Sequence, residues 1–193
     1  MNGKVLIFSA PSGSGKSTIV QHLVKLDLDL AFSISATSRK PRGGEVDGQE
    51  YHFISPEVFR EKIESDDFLE WEEVYPGQFY GTLRSEVQRI WNLGLSAVFD
   101  IDVEGGMNLK KEFGEKALSV FIKPPSLHEL ERRLRSRATD DEAALKKRLG
   151  KAEIEMKYAP RFDYILVNDS LENALTEAEN LVRDFLSTRS KHN

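Results

Sequence analysis

The feature that most constrains this chain lies at its start. There the apolar run KVLIFS (residues 4–9) gives way to Ala10, Pro11, Ser12, Gly13, Ser14, Gly15, Lys16 and Ser17, then to a helical pattern reaching about Leu26. A short, nearly continuous apolar run predicts a strand covered on both faces. Gly13 and Gly15 turn without a Cβ, so successive backbone N–H groups converge on one anion, and the start of the next helix adds partial positive charge. Strand, glycine-rich turn and helix in that order make a phosphate-binding loop, with Ala10 where glycine usually stands. In such a loop Lys16 reaches the β- and γ-phosphates of a nucleotide and the Ser17 hydroxyl holds Mg²⁺.

The rest of the chain continues the rhythm. Apolar runs recur at 95–101, 117–122 and 163–167, with helical stretches near 83–93, 103–112, 126–136, 140–157 and 170–187. Ser126 with Glu129, and Thr139 with Glu142, have the spacing of capping boxes. Strands separated by helices predict an α/β fold with a mostly parallel sheet and its ligands beyond the carboxyl ends of the strands. Two stretches break the pattern. Residues 34–82 hold short strand-like pieces and turn signals around one helix starting at Ser55-Pro56, and read as a small inserted lobe. Residues 131–151 carry eight Lys and Arg against four acids in a chain whose net charge is −5. That overall charge argues against a nucleic-acid partner. No apolar run is long enough for a membrane span, no signal peptide is expected, and the absence of cysteine excludes thiolate metal sites and permits a reducing, cytoplasmic setting.

Three further groups of residues carry chemistry. The strand at 95–101 ends in Asp100 and Asp102, which in this fold puts carboxylates within reach of a phosphate-loop magnesium, although strand-end acids also serve as turn residues. In the basic segment, Arg137 and Arg148 flank a turn, so two helical arms can bring both guanidiniums to one place, where arginines stabilise phosphoryl transfer; the alternative is a solvated charged helix. The inserted lobe holds Ser35, Arg39, Arg42, Glu45, Tyr51, Glu70, Tyr80 and Thr82. Its arginines are suited to bidentate phosphate contacts and its tyrosine hydroxyls to donating to oxygens, although polar residues of these types also scatter over any surface.

Together, SAPSGSGKST (9–18), SATSRKPRGGEVDGQEYHF (35–53), FLEWEEVYPGQFYGT (68–82), VFDIDVEGG (98–106), LRSRATDDEAALKKRL (134–149) and DYILVND (163–169) resemble the guanylate kinase family over nearly the whole chain. The resemblance implies a P-loop NTPase-like core (1–33, 83–126 and 158–193), a GMP-binding lobe (34–82) and a mobile helical lid (127–157). It implies ATP and GMP as substrates and Mg²⁺ as cofactor, with reversible transfer giving ADP and GDP. Residue by residue, 10–17 with Arg137 and Asn168 match the ATP side, and Ser17 and Asp100 the metal. Arg39, Arg42, Tyr51 and Tyr80 match the clamp on the acceptor phosphate; Ser35, Glu70 and Thr82 match the guanine readers. Asp102 lies near the acceptor, and Lys16, Arg39, Arg42, Asp100, Arg137 and Arg148 match the catalytic set. The chain departs from the family at Glu104-Gly105-Gly106, commonly Gln-Gly-Ala, and at Ala138, often Gly. Glu104 is expected to face solvent and Ala138 to stiffen the lid turn. Two rivals stand beside this reading: a non-enzymatic scaffold, which an intact phosphate loop opposes, and a kinase for another acceptor, which the full set of lobe residues opposes.

Overall fold

The computed structural model describes residues 3–136 and 141–188. A five-stranded sheet, all parallel, runs in the order β2 (Leu30–Phe32), β7 (Ser96–Asp100), β1 (Val5–Ser9), β8 (Ala117–Lys123), β9 (Tyr164–Val167). β1 lies at its centre, and its alternate side chains supply two cores. Leu6 and Phe8 pack with Ile19, Leu23 and Val182 of α1 (Lys16–Lys25) and α7 (Leu171–Ser187); Val5 and Ile7 pack with Val87, Ile90 and Leu109 of α3 (Arg84–Asn92) and α4 (Val103–Phe113). Every residue of β1 is buried, the condition its unbroken apolar run predicts.

The second sheet is mixed, in the order β4 (His52–Phe53), β3 (Ala36–Thr37), β6 (Gln78–Leu83), β5 (Phe68–Tyr75), with α2 (Pro56–Glu64) against it. Ser55 caps α2 by accepting from the Val58 amide at 3.2 Å, and Pro56 follows in the first turn. Phe59 is fully buried and stacks on Phe68 and Phe79, with centroids 4.3 and 5.3 Å away. Phe59→Ala should therefore cost about 3–5 kcal/mol of stability in denaturant unfolding. It should also loosen the placement of Glu70 and Tyr80, because Phe68 and Phe79 lie on the strands that carry them.

The basic segment folds into α5 (Leu127–Ser136) and α6 (Glu142–Met156), joined through a core of Leu130, Leu134, Leu145 and Ala152. The helix starts differ from the expected boxes. Ser126 accepts from the Glu129 amide at 3.0 Å, but the Glu129 carboxylate turns to Arg132 and Arg133 at 2.7 and 2.8 Å instead of returning to the cap. A charge-assisted pair outcompetes a bond to a neutral amide. At α6 the cap is Asp141, which accepts from the Ala144 amide at 2.7 Å; Thr139, like Arg137 and Ala138, lies outside the described residues.

Candidate active site

The loop at 10–17 joins β1 to α1 with Gly13 at φ +94° and Gly15 at φ +91°. A Cβ at Gly15 would lie 2.3 Å from Asn168 Nδ2, the atom that donates to the Ser14 carbonyl at 2.8 Å. Gly15→Ala thus meets both a strained backbone and an occupied space. Its expected outcome is loss of nucleotide binding, read by calorimetry.

Lys16 and Ser17 open α1 and reach across to the end of β7. Lys16 Nζ lies 2.6 Å from Asp100 Oδ1 and donates to the Ile101 carbonyl at 2.9 Å; the Ser17 hydroxyl donates to Asp100 Oδ2 at 3.1 Å. Asp100 thus faces the loop. Asp102 is placed differently: its Oδ1 caps α4, accepting from the amides of Glu104 and Gly105 at 2.8 Å each. Arg148, on α6, brings Nη1 to 3.3 Å from the Ser12 hydroxyl. The loop opens into a cavity of about 350 Å³ lined by residues including Gly13, Gly15, Lys16, Asp102, Lys151 and Glu155.

A second cavity of about 250 Å³ adjoins it, lined by Ser35, Tyr51, Glu70, Tyr80, Asp100 and Asp102 among others. Asp102 lines both. Glu70 reaches its wall because β5 is irregular: Phe68 pairs with Leu83 but Glu70 pairs with Thr82, so Leu69 is an extra residue. Without that bulge Phe68 and Glu70 would share a face. With it, Phe68 enters the lobe core and Glu70 the cavity. Burial pushes the Glu70 carboxyl up to about 7; the Thr82 hydroxyl, donating to Oε1 at 2.7 Å, opposes the shift, and Asp102 adds to it. Thr82 is itself buried and spends its proton on Glu70. Arg39 lies over the Tyr51 ring and donates from Nε to the Tyr80 hydroxyl at 3.0 Å, while Arg42 is exposed.

Of the residues expected at the site, Lys16, Ser17, Ser35, Tyr51, Glu70, Tyr80, Asp100 and Asp102 line the two adjoining cavities. Arg39, Thr82, Arg148 and Asn168 are bonded to residues of the loop or of the second cavity, Arg42 is exposed with its amide on Glu45, and Arg137 lies outside the described residues. Glu104 is exposed and accepts from the Tyr158 hydroxyl at 3.3 Å. A Cβ at Gly106 would lie 2.6 Å from Ser9 Oγ, which donates to the Asp102 carbonyl at 2.9 Å; glycine here leaves that tie intact. Sequence reading missed Lys151 and Glu155. Glu155 is buried beside the loop with its carboxyl raised by burial, 3.5 Å from Lys151 Nζ. The only sequence signal for this pair is its i,i+4 spacing on the face that also bears Ala152.

The guanylate kinase family model matches residues 2–185. The chain belongs to the guanylate kinase family. It is 54% identical to the guanylate kinase of Bacteroides thetaiotaomicron, over 97% of this chain and 92% of the relative, and 48% identical to that of Porphyromonas gingivalis, over 95% and 98%. Its structure is similar to the crystal structure of guanylate kinase from Anaplasma phagocytophilum, with a TM-score of 0.74 at 29% identity, covering 97% of this chain and 88% of the other.

Proposed function

We infer that this guanylate kinase family member phosphorylates GMP to GDP, taking the γ-phosphoryl group of ATP and releasing ADP. The observation that carries the residue assignment is that the phosphate-loop cavity and the Glu70 cavity adjoin, with Asp102 lining both. ATP then lies on residues 10–17 with Asn168 and Arg148, and GMP on Ser35, Tyr51, Glu70 and Tyr80. A 5′-phosphate oxygen of GMP attacks the γ-phosphorus; the bond to the β,γ-bridging oxygen breaks and its electron pair leaves with ADP. That attacking oxygen is already ionised, so no general base is required, and the chain's contribution is positioning and charge. Lys16 exchanges its Asp100 partner for phosphate, and Arg39, Arg42, Arg137 and Arg148 neutralise charge around the transferred group. Segments 34–82 and 127–157 act as closing parts over the core of 1–33, 83–126 and 158–193, excluding water that would hydrolyse ATP.

Ser17 Oγ and the Asp100 carboxylate form an all-oxygen donor pair at the loop, which suits Mg²⁺. Among the described residues no cluster of three or more His, Cys, Asp or Glu is arranged to hold a metal ion, so the remaining ligands would be phosphate oxygens and water. When bound, Mg²⁺ supplies charge to the phosphates. Chelation by EDTA should abolish turnover while leaving GMP affinity unchanged. Among the described residues no helix is long and apolar enough to cross a membrane. The net charge of −5 gives no reason for a nucleic-acid partner, and the cytoplasm, where ATP and GMP meet, is the setting we assign. The test is ADP formation with GMP, AMP, CMP, UMP and dTMP as acceptors. Turnover confined to GMP is expected; ATP binding with no acceptor used would sink the assignment.

A further inference from the structure

Arg39 presents five N–H groups, and four are engaged. Nε donates to the Tyr80 hydroxyl at 3.0 Å, Nη1 to the Lys40 carbonyl at 3.0 Å, and Nη1 and Nη2 to the two Glu45 oxygens at 2.6 and 2.7 Å. The last two form a bidentate fork, strong and strict in its geometry. The guanidinium lies 5.0 Å from the Tyr51 centroid and 5.6 Å from that of Phe53, and the Arg39 side chain is only 8% exposed. Glu45 Oε2 also accepts from the Arg42 amide at 2.7 Å, and the Glu45 amide donates to the Arg42 carbonyl at 3.1 Å. One carboxylate thus ties the Arg39 fork to the turn that bears Arg42.

We propose that Glu45 is a positioning residue for phosphate recognition: it stays on Arg39 through the reaction and holds the guanidinium plane so that the remaining Nη2 hydrogen meets the acceptor's 5′-phosphate beside the Tyr51 and Tyr80 hydroxyls. The proposal rests on Arg39 being the phosphate clamp. A buried guanidinium with no carboxylate beside it would swing toward water, because an unpaired charge is costly to bury. Arg39 and the Arg42 amide hold the Glu45 carboxyl down at about 2, so it remains ionised at any pH at which the enzyme works. The competing idea is that Glu45 is a placeholder that leaves when phosphate arrives. It predicts the opposite sign, since removing a competitor tightens binding.

The experiment compares calorimetric binding of GMP and guanosine to the full chain, for wild type, Glu45→Gln, Glu45→Asp and Arg39→Met. In Glu45→Gln the amide turns a donor toward the fork. GMP affinity should fall about tenfold, the scale of one lost charge-assisted hydrogen bond. Guanosine affinity should not move, and kcat/KM for GMP should fall by at least the same factor, because the Arg39 guanidinium that Glu45 holds also meets charge on the transferred group. Glu45→Asp, one methylene shorter but still ionised, should fall between. Tighter GMP binding in Glu45→Gln would establish the placeholder instead, and unchanged GMP binding or an equal loss for guanosine would also overturn the proposal. Arg39→Met separates the two layers: if it keeps the wild-type preference for GMP over guanosine, the clamp reading itself fails; if it loses that preference while Glu45→Gln keeps it, only the role of Glu45 fails.

Discussion

Lys16→Ala should lower kcat by at least about 10²–10³-fold, the cost of removing one fixed charge or donor aimed at charge that develops in a transition state. The ammonium has no substitute in the loop: Gly13 and Gly15 offer only amides there, and Arg148 approaches from another helix. The fold should survive. Lys16 and Asp100 are 18% and 20% exposed, and a partly solvated pair of this kind contributes about 1 kcal/mol or less. Its loss leaves Asp100 with the Ser17 hydroxyl and access to water. A second control is Lys16→Arg, which keeps the charge but cannot place a planar fork where a point charge sits 2.6 Å from Asp100 and 2.9 Å from the Ile101 carbonyl. The coupled ADP assay and a thermal melt read the two quantities separately. Near-normal turnover in Lys16→Ala would remove this lysine from the machinery, whatever the melt showed.

The legible and illegible parts of this chain divide on physical grounds. The phosphate loop could be read because each of its requirements is local: an apolar strand, two glycines and a helix start within fourteen residues, 4–17. The five helices expected from 83–93 onward were legible because their apolar faces repeat at helical spacing beside strong strand signals. β2 was not, since Leu30–Phe32 is short, lies at the sheet edge and is nowhere fully buried, so no alternation or apolar run marks it. The two acids of β7 looked equivalent in sequence; what separates them is that Asp102 stands one residue before a helix and caps it, while Asp100 ends a strand opposite Lys16. Glu155 was hidden inside a run of charges that reads as solvated, and only the packing of α6 toward the loop buries it. Glu70 could be singled out by type but not aimed, because its direction depends on a bulge that no turn residue announces.

Glu70→Gln should cost about 10²-fold in kcat/KM for GMP while leaving AMP nearly unaffected, which narrows the preference between the two acceptors. Guanine offers donors at N1 and N2 and needs an acceptor for both, which an ionised carboxylate supplies and an amide cannot; a lost charge-assisted bond and a misplaced donor together amount to about 2–3 kcal/mol. Adenine offers an acceptor at N1, so the wild-type carboxylate already gives it nothing. The pH dependence isolates the same group. Burial holds the Glu70 carboxyl near about 7 in the empty site, so below that pH it carries a proton that guanine must displace. Wild-type KM for GMP should therefore improve as pH rises to about 7 and level off above it. In Glu70→Gln only the part due to the second ionisation of the GMP phosphate, near about 6, should remain. Stability must run the other way. In the unfolded chain the carboxyl titrates at its ordinary 4.5, so between 4.5 and about 7 the native state holds a proton the unfolded state has lost, and wild-type stability falls as pH rises through that window. The slope is at most about 1.4 kcal/mol per pH unit, and Glu70→Gln removes it. At about pH 8 the empty variant should then melt above wild type although it binds GMP less well, and adding GMP should reverse the order; parallel melting curves across that window would mean that the carboxyl is not held protonated by its burial, and that its discrimination comes from hydrogen-bond geometry alone.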